Sequence, residues 1–356
     1  MIGCRTQSGR GYTLALAAAR YYFAPPKRIG VSGHHGGRGK ASAKKPLRTA
    51  GLGEGLGPGT ATDGLRSHPP PRRPRQHWRL VTILCIIPFI KFPEYKMSHL
   101  LYDVEETIAT ITLNRPEASN AYSSKMVREL VNALDEAEGD DEVRVVIVTG
   151  AGRSFCAGGD LKAMRDRTGM FSGDPVELRD KYLRGIQTIP RRFDSFEKPT
   201  IAAINGAAIG AGLGLAATCD LRISAEGAKF GSTFARVGLI PGDGGAYLLT
   251  RVVGFSRALE LILTAEIIDA RRALDIDLVH RVVPDEEVMD EARKVARQIA
   301  SLPPKAVRTA KAALYRSVDR DLETSLHITA ALQGLIQRTE EHDQAVRDLL
   351  ENLRSD

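Results

Sequence analysis

Two hydrophobic rhythms alternate along residues 97–356. Short, dense apolar runs read as strands, and runs with an apolar residue every three or four positions read as helices. His99 to Val104 and Ile108 to Leu113 form the arms of a hairpin around Glu105-Glu106-Thr107. Ser123 to Glu138 carries Met126, Leu130, Val131 and Leu134 at helical spacing. Val143 to Thr149 and Ile201 to Ile204 have the unbroken apolar character of buried strands, and Leu221 to Ala225 is a further strand. Between Leu161 and Lys198 lies a polar, charged, glycine-containing stretch (RDRTGMFSGDPVELRDKY) suited to a mobile lid beside a site. The tail is almost wholly helical: Ser256 to Leu263, Ala270 to Leu274, Asp285 to Leu302, Pro304 to Val318 and Leu322 to Leu353. Its last segment has apolar positions at Leu326, Ala330, Leu335, Ala345 and Leu349, the pattern of a helical layer or a subunit contact. Strands alternating with helices, then helices alone, predict an α/β core with a helical tail.

Residues 1–96 show neither rhythm. They are crowded with Gly, Pro, Arg and Ser (VSGHHGGRGKASAKK, GLGEGLGPGT, HPPPRRPRQ). Such a segment buries too little apolar surface to offset its chain entropy. The run Leu80 to Ile90 is shorter than a bilayer crossing, lies far from the N-terminus and has no small-residue cleavage site after it. The reading favoured here is that translation starts at Met97 and that 1–96 is upstream sequence, with a targeting segment or a disordered tail as the lesser alternatives.

Charge separates the same two pieces. Residues 1–96 hold 17 basic and 3 acidic side chains, a net +14, and the remainder 33 and 40, a net −7. The whole-chain +7 therefore describes neither piece, and nucleic-acid binding is not expected of the acidic folded part. Cys4, Cys85, Cys156 and Cys219 form no CxxC pair and no Cys/His cluster, so neither a zinc site nor a disulfide framework is expected. The chemistry expected is that of a reduced, cytoplasmic protein without a membrane span.

The candidate chemistry lies in two glycine-rich turns. Ile201 to Ile204 runs through Asn205-Gly206 into an apolar segment carrying Gly210, Gly212 and Gly214. Each glycine inside a helix costs about 1 kcal/mol relative to alanine, so three of them suggest that bare backbone N–H groups approach something closely. Ala157-Gly158-Gly159-Asp160 makes a second such turn after the strand Val143 to Val148. One N–H from each turn, at the positive end of a helix, suits an oxygen that gains negative charge during a reaction.

Four motifs in order then carry a family resemblance: LNRPEASNAY (113–122), VVIVTGAGRSFCAGGDLKAM (145–164), KPTIAAINGAAIGAGLGLAATCDLRIS (198–224) and KFGSTFARVGLIPGDGGAYLLTRVVG (229–254). LTAEIIDARRALDIDLVHRVVP (263–284) resembles the family's next block, with Ala265 and Asp277 where glycines are usual. From about Leu101 to the C-terminus the chain resembles the crotonase superfamily, the enoyl-CoA hydratase/isomerase family. The resemblance implies an α/β, crotonase-like spiral of ββα units over 97–285, followed by a C-terminal helical region, 286–356, that builds homotrimers or hexamers. It implies an acyl-CoA thioester substrate whose enolate is held by the N–H groups of Gly159 and Ala211. It implies no metal and no cofactor beyond the coenzyme A of the substrate, and a place in fatty-acid metabolism.

Other positions have two readings each. Lys162 stands where the family often has a lysine for the CoA phosphates, or is a solvated surface lysine. Glu117 replaces a basic residue common in the family. Asp160 reads as a helix cap and Cys156 as a small core residue. Ala157, Leu161, Lys162, Phe234 and Tyr247 are the expected substrate-contacting positions, with Arg236 facing thioester or solvent. Hydratases of the family use two glutamates; the matching positions here are Gly214 and Phe234, so ordinary hydration is not expected. Asp243, in Pro241-Gly242-Asp243-Gly244-Gly245, is the candidate acid/base, one residue later than the family's usual aspartate. Its alternative role is to cap a helix from Ala246 to Val253. A carboxylate beside an enolate site suits double-bond isomerisation or an atypical hydration; a binding-only acyl-CoA protein is the alternative. A dinucleotide fold is excluded, because Leu215 stands where the fingerprint's third glycine belongs.

Overall fold

The computed structural model describes residues 99–355. The basic segment, the apolar run 80–90, Cys4 and Cys85 lie outside the described residues. The chain opens with the expected hairpin, β1 (Leu100–Glu105) and β2 (Ile108–Leu113), antiparallel with Glu105 opposite Ile108. Helix α1 (Ser124–Gly139) begins where the Ser123 hydroxyl accepts the Met126 N–H at 3.0 Å. It buries Met126, Val127, Leu130, Ala133, Leu134 and Ala137, a stripe at helical spacing, and leads to β3 (Val145–Gly150). Every residue of β3 is buried, as a central parallel strand requires.

Three helices follow, α2 (Leu161–Arg165), α3 (Pro175–Arg184) and α4 (Thr188–Ser195), with a 3-10 turn (Gly169–Phe171) between the first two. Two strand–strand–helix units come next: β4 (Thr200–Ile204), β5 (Ala208–Ile209) and α5 (Ala211–Thr218); then β6 (Leu221–Ala225), β7 (Lys229–Gly231) and α6 (Gly245–Val252). Each unit sends its first strand to a large sheet and its short second strand to a small one. Helix α7 (Gly254–Thr264), β8 (Ile268–Asp269), α8 (Ala270–Asp275) and β9 (Arg281–Val283) complete the core. The large sheet runs β1-β2-β3-β4-β6-β9, parallel beyond the first pair; the small one runs β5-β7-β8.

Helix α9 (Val288–Ala300) covers β3, β4 and β6 with Val288, Ala292, Val295 and Ala296. Helices α10 (Pro304–Ser317), α11 (Leu322–Ile336) and α12 (Glu340–Ser355) form the tail. None of these helices is long and apolar enough, nor is any other among the described residues, to cross a membrane.

Three expectations need correction. The stretch from Leu161 to Lys198, read as a mobile lid with no helices assigned to it, is largely helical. Asp174 and Glu177 make a reciprocal capping box that starts α3, and α4 buries Ile189 and Phe193. The tail helix expected from Leu322 to Leu353 is two helices, and the Thr339 hydroxyl accepts the His342 N–H at 3.2 Å where the second begins. The short strands β5, β7, β8 and β9 were not anticipated, being two or three residues long and without a readable period.

Helix α10 buries no residue fully, so polar contacts fix it to the sheet. Asp220, just before β6, is their hub. It accepts from the Thr200 N–H (2.7 Å), the Thr200 hydroxyl (2.8 Å) and the Tyr315 hydroxyl (2.7 Å), and lies 2.7 Å from Lys311 Nζ. Removing one partner from such a network strands the others. Asp220→Ala is expected to lower stability by about 3 kcal/mol in denaturant unfolding; a loss under 1 kcal/mol contradicts the assignment of Asp220 as hub.

Candidate active site

The two glycine-rich turns meet. A Cβ on Gly158 (φ 82°) would lie 2.8 Å from the Ala211 nitrogen and 2.6 Å from the Ile209 carbonyl oxygen, so only glycine allows the approach. The Cys156 N–H donates to the Ala207 carbonyl (3.0 Å) and the Ile209 N–H to the Cys156 carbonyl (2.9 Å), locking the turn beside β5. Gly212 packs on the same cysteine; a Cβ there would lie 2.7 Å from the Cys156 carbonyl carbon.

Peptide planarity then fixes where the amides point. The Gly158 carbonyl accepts the Tyr122 N–H at 2.7 Å, so in a trans peptide the Gly159 N–H faces the opposite way. The Gly210 carbonyl accepts the Leu213 and Gly214 N–H groups (3.0 and 3.2 Å), so the Ala211 N–H points back out of the first turn of α5. Neither the Gly159 nor the Ala211 amide has an acceptor among the described residues. Gly210 itself sits at φ 55°, the conformation that turns the chain from β5 into the helix.

Ala211 also borders a small pocket, partly open to solvent, with Tyr122, Ile186, Ile189, Pro190, Gly214, Leu215, Thr218 and Asp243. Asp243 is 6 % exposed. Its Oδ1 accepts the Gly245 N–H at 3.1 Å, and its carboxyl rests on Gly214, where a Cβ would lie 3.1 Å from Asp243 Cγ. The Gln187 amide donates to the Gly242 carbonyl at 2.7 Å, tying this turn to the residues before α4. Burial pushes the Asp243 carboxyl up to about 6, against the smaller stabilisation from the Gly245 N–H. The helix it precedes is capped by Gly244, at φ 102°, and starts at Gly245 rather than Ala246. Asp243 therefore takes one N–H of that helix without being its N-cap.

The other anticipated residues are spread more widely. Asp160 caps α2, accepting the Lys162 and Ala163 N–H groups at 3.1 Å, with Arg115 at 3.4 Å. These contacts, the Ala163 N–H foremost, hold its carboxyl below the usual range. Cys156 is buried; its thiol donates to the Asn120 carbonyl (3.2 Å), accepts the Gly158 N–H (3.4 Å) and is pushed up to about 12 by burial. The Ala157 N–H is occupied by the Ser119 carbonyl at 2.9 Å. Leu161 and Lys162 are exposed on α2, Glu117 lies 3.8 Å from Arg115 at the surface, and Arg236 is exposed. Phe234 is half-buried, its ring tip 3.8 Å from where a Gly210 Cβ would be. Tyr247 is not brought to the cavity. It is 55 % exposed and stacks under Arg251 at 3.6 Å.

Sequence reasoning missed Tyr122, Ile186, Ile189, Pro190 and Thr218. Tyr122 closes the LNRPEASNAY motif, which is its one signal. Ile186, Ile189 and Pro190 were hidden in the stretch read as a lid.

The raised Asp243 carboxyl links pH to stability. Between its ordinary 3.8 and about 6 the folded state holds one more proton than the unfolded, so stability falls as pH rises through this window. Wild type is expected to lose about 2 kcal/mol between pH 4 and pH 7 relative to Asp243→Asn, by urea unfolding of both proteins. Parallel pH profiles contradict the burial of an ionisable carboxyl.

Comparison with known proteins follows the geometry. Residues 103–356 match the family Enoyl-CoA hydratase/isomerase. A short-chain-enoyl-CoA hydratase of Clostridium acetobutylicum is 37 % identical over 257 residues, 72 % of this chain and 96 % of that protein. The 1,2-epoxyphenylacetyl-CoA isomerase of Escherichia coli is also 37 % identical, over 254 residues, 71 % of this chain and 96 % of that protein. The crystal structure of an enoyl-CoA hydratase from Bacillus anthracis superposes with a TM-score of 0.67 at 35 % identity, covering 71 % of this chain and 96 % of that one. Motif order, the paired strand–strand–helix units and these matches agree: the chain belongs to the enoyl-CoA hydratase/isomerase family, the crotonase superfamily.

Proposed function

We propose that this protein is an acyl-CoA-processing enzyme that shifts a double bond along an enoyl thioester. The thioester oxygen sits between the Gly159 and Ala211 amides, and Asp243 moves the proton. The observation that carries the reading is the place of Asp243: a buried carboxyl lying on Gly214, in a cavity shared with Ala211. It occupies the room a longer side chain at position 214 would fill. One acid/base group is thus available where a family hydratase has a glutamate, while Phe234 leaves the second glutamate unreplaced.

The step balances with that single group. The Asp243 carboxylate takes a proton from carbon 2 of a 3-enoyl-CoA, and the electron pair moves onto the thioester oxygen. The two amides stabilise that charge, a contribution of roughly 3–4 kcal/mol per donor. Protonated Asp243 returns the proton to carbon 4, the carbonyl reforms, and the double bond lies between carbons 2 and 3. A carboxyl near 6 suits both halves of this cycle. The step requires neither metal nor redox cofactor; coenzyme A is part of the substrate. Exposed Phe255 and Leu263 on α7 and Leu322 and Leu326 on α11 support association into trimers or hexamers.

The test is a pair of absorbance assays. With a short 3-enoyl-CoA, conjugated 2-enoyl thioester is expected to accumulate. Asp243→Asn is expected to cut the rate by about 10²–10⁴-fold, and kcat/KM is expected to rise with pH and level off above about 6. With a short 2-enoyl-CoA, rapid loss of absorbance that vanishes in Asp243→Asn contradicts isomerisation in favour of hydration. Inertness toward both substrates, in protein that binds CoA thioesters, contradicts catalysis in favour of binding alone.

A further inference from the structure

The reaction just proposed gives the cavity's second polar side chain no work. Tyr122 is 2 % exposed and borders the same pocket as Asp243 and Ala211, with no hydrogen bond from its hydroxyl to any side chain of that lining. The cavity's other hydroxyl is already used: Thr218 donates to the Leu215 carbonyl at 2.6 Å. The walls around them are Ile186, Ile189, Pro190 and Leu215, none of which offers an acceptor side chain. Burial, then Cys156 and Asp243, hold the phenol well above its ordinary value, so Tyr122 acts as a donor and not as a base.

A donor in this position discriminates among acyl chains. A plain alkenyl chain entering the cavity covers the phenol and leaves its O–H buried without a partner. A chain bearing an oxygen restores the bond. Sites of this kind separate ligands by the polar group that one has and the other lacks.

We infer that Tyr122 is a specificity-determining residue that reads an oxygen on the acyl chain, so that the preferred substrates are oxygenated enoyl-CoA thioesters and not plain alkenyl ones. Chemistry sets where that oxygen lies. In a 3-enoyl thioester carbons 3 and 4 form the double bond, and a hydroxyl on either would be an enol that reverts to the ketone. Beyond carbon 2, that leaves carbon 5 and onward for the oxygen. This inference rests on the acyl-CoA reading of the cavity, and its placement of the oxygen on the 3-enoyl substrate of the reaction proposed above.

Binding of unreactive, saturated thioesters tests it without turnover. Titration calorimetry on the full chain would use hexanoyl-CoA and 5-hydroxyhexanoyl-CoA. Wild type is expected to bind the hydroxy compound about tenfold or more tightly, the value of one buried hydrogen bond. Tyr122→Phe is expected to bring the two within about twofold, chiefly by weakening the hydroxy ligand. Equal affinities in wild type overturn the inference, and that comparison needs no variant should Tyr122→Phe fold poorly. A Tyr122→Phe protein that keeps the preference also overturns it. If wild type binds neither thioester, the acyl-CoA reading itself fails. Binding of both with equal affinity leaves that reading intact and removes only the role of Tyr122.

Discussion

Backbone meets backbone at Gly158 and Ala211, and at Gly212 and Cys156, with no side chain between. The remaining geometry of the site follows from that contact. It brings the turn after β3 against the start of α5, although about fifty residues and three helices separate them in the chain. It also leaves two amides without acceptors at one place, because the neighbouring carbonyls of Gly158 and Gly210 are already committed to Tyr122, Leu213 and Gly214. A single helix end or tight turn would offer donors from one side only. The reading of Gly159 and Ala211 as one paired site depends on the two turns lying together, and glycine's missing Cβ at 158 permits that approach.

The same economy of side chains explains the carboxyl. Gly214 is bare, and Asp243, arriving from the turn before α6, fills the space above it. The group is fixed from two sides: the Gly245 N–H on its own turn, and Gln187 holding the Gly242 carbonyl. Restoring a side chain at position 214 would evict the carboxylate. The two positions therefore form one unit, and a comparison that scores each alone registers only a missing glutamate.

Much of this was legible from residue patterns. β6 spans the anticipated residues, β2 likewise, and the anticipated Asp160 cap accepts the N–H groups opening its helix. The glycines were legible as close contacts but not in kind. Gly212 meets the Cys156 backbone and Gly214 meets Asp243, so two of the three approach the protein itself. The stretch before Lys198 was misread because its helices are short and polar, with α3 burying no residue and α4 only two. Its capping box was present in the sequence as Asp174-Pro175-Val176-Glu177 and outweighs the weak apolar pattern. Tyr122 and Tyr247 had no distinguishing local signal; only the fold sends one into the cavity and stacks the other on Arg251.

The central claim of the proposal is that the paired amides and Asp243 act on one thioester, the amides at its oxygen and Asp243 at carbon 2. Proton NMR of butyryl-CoA in D₂O with the full chain measures this most directly, because the thioester's carbon 2 protons exchange with solvent only if a base removes them while the resulting enolate is stabilised. The account predicts enzyme-dependent deuterium incorporation at carbon 2 that is lost in Asp243→Asn, without loss of CoA thioester binding. Exchange that persists in Asp243→Asn, or bound butyryl-CoA that never exchanges in wild type, contradicts it.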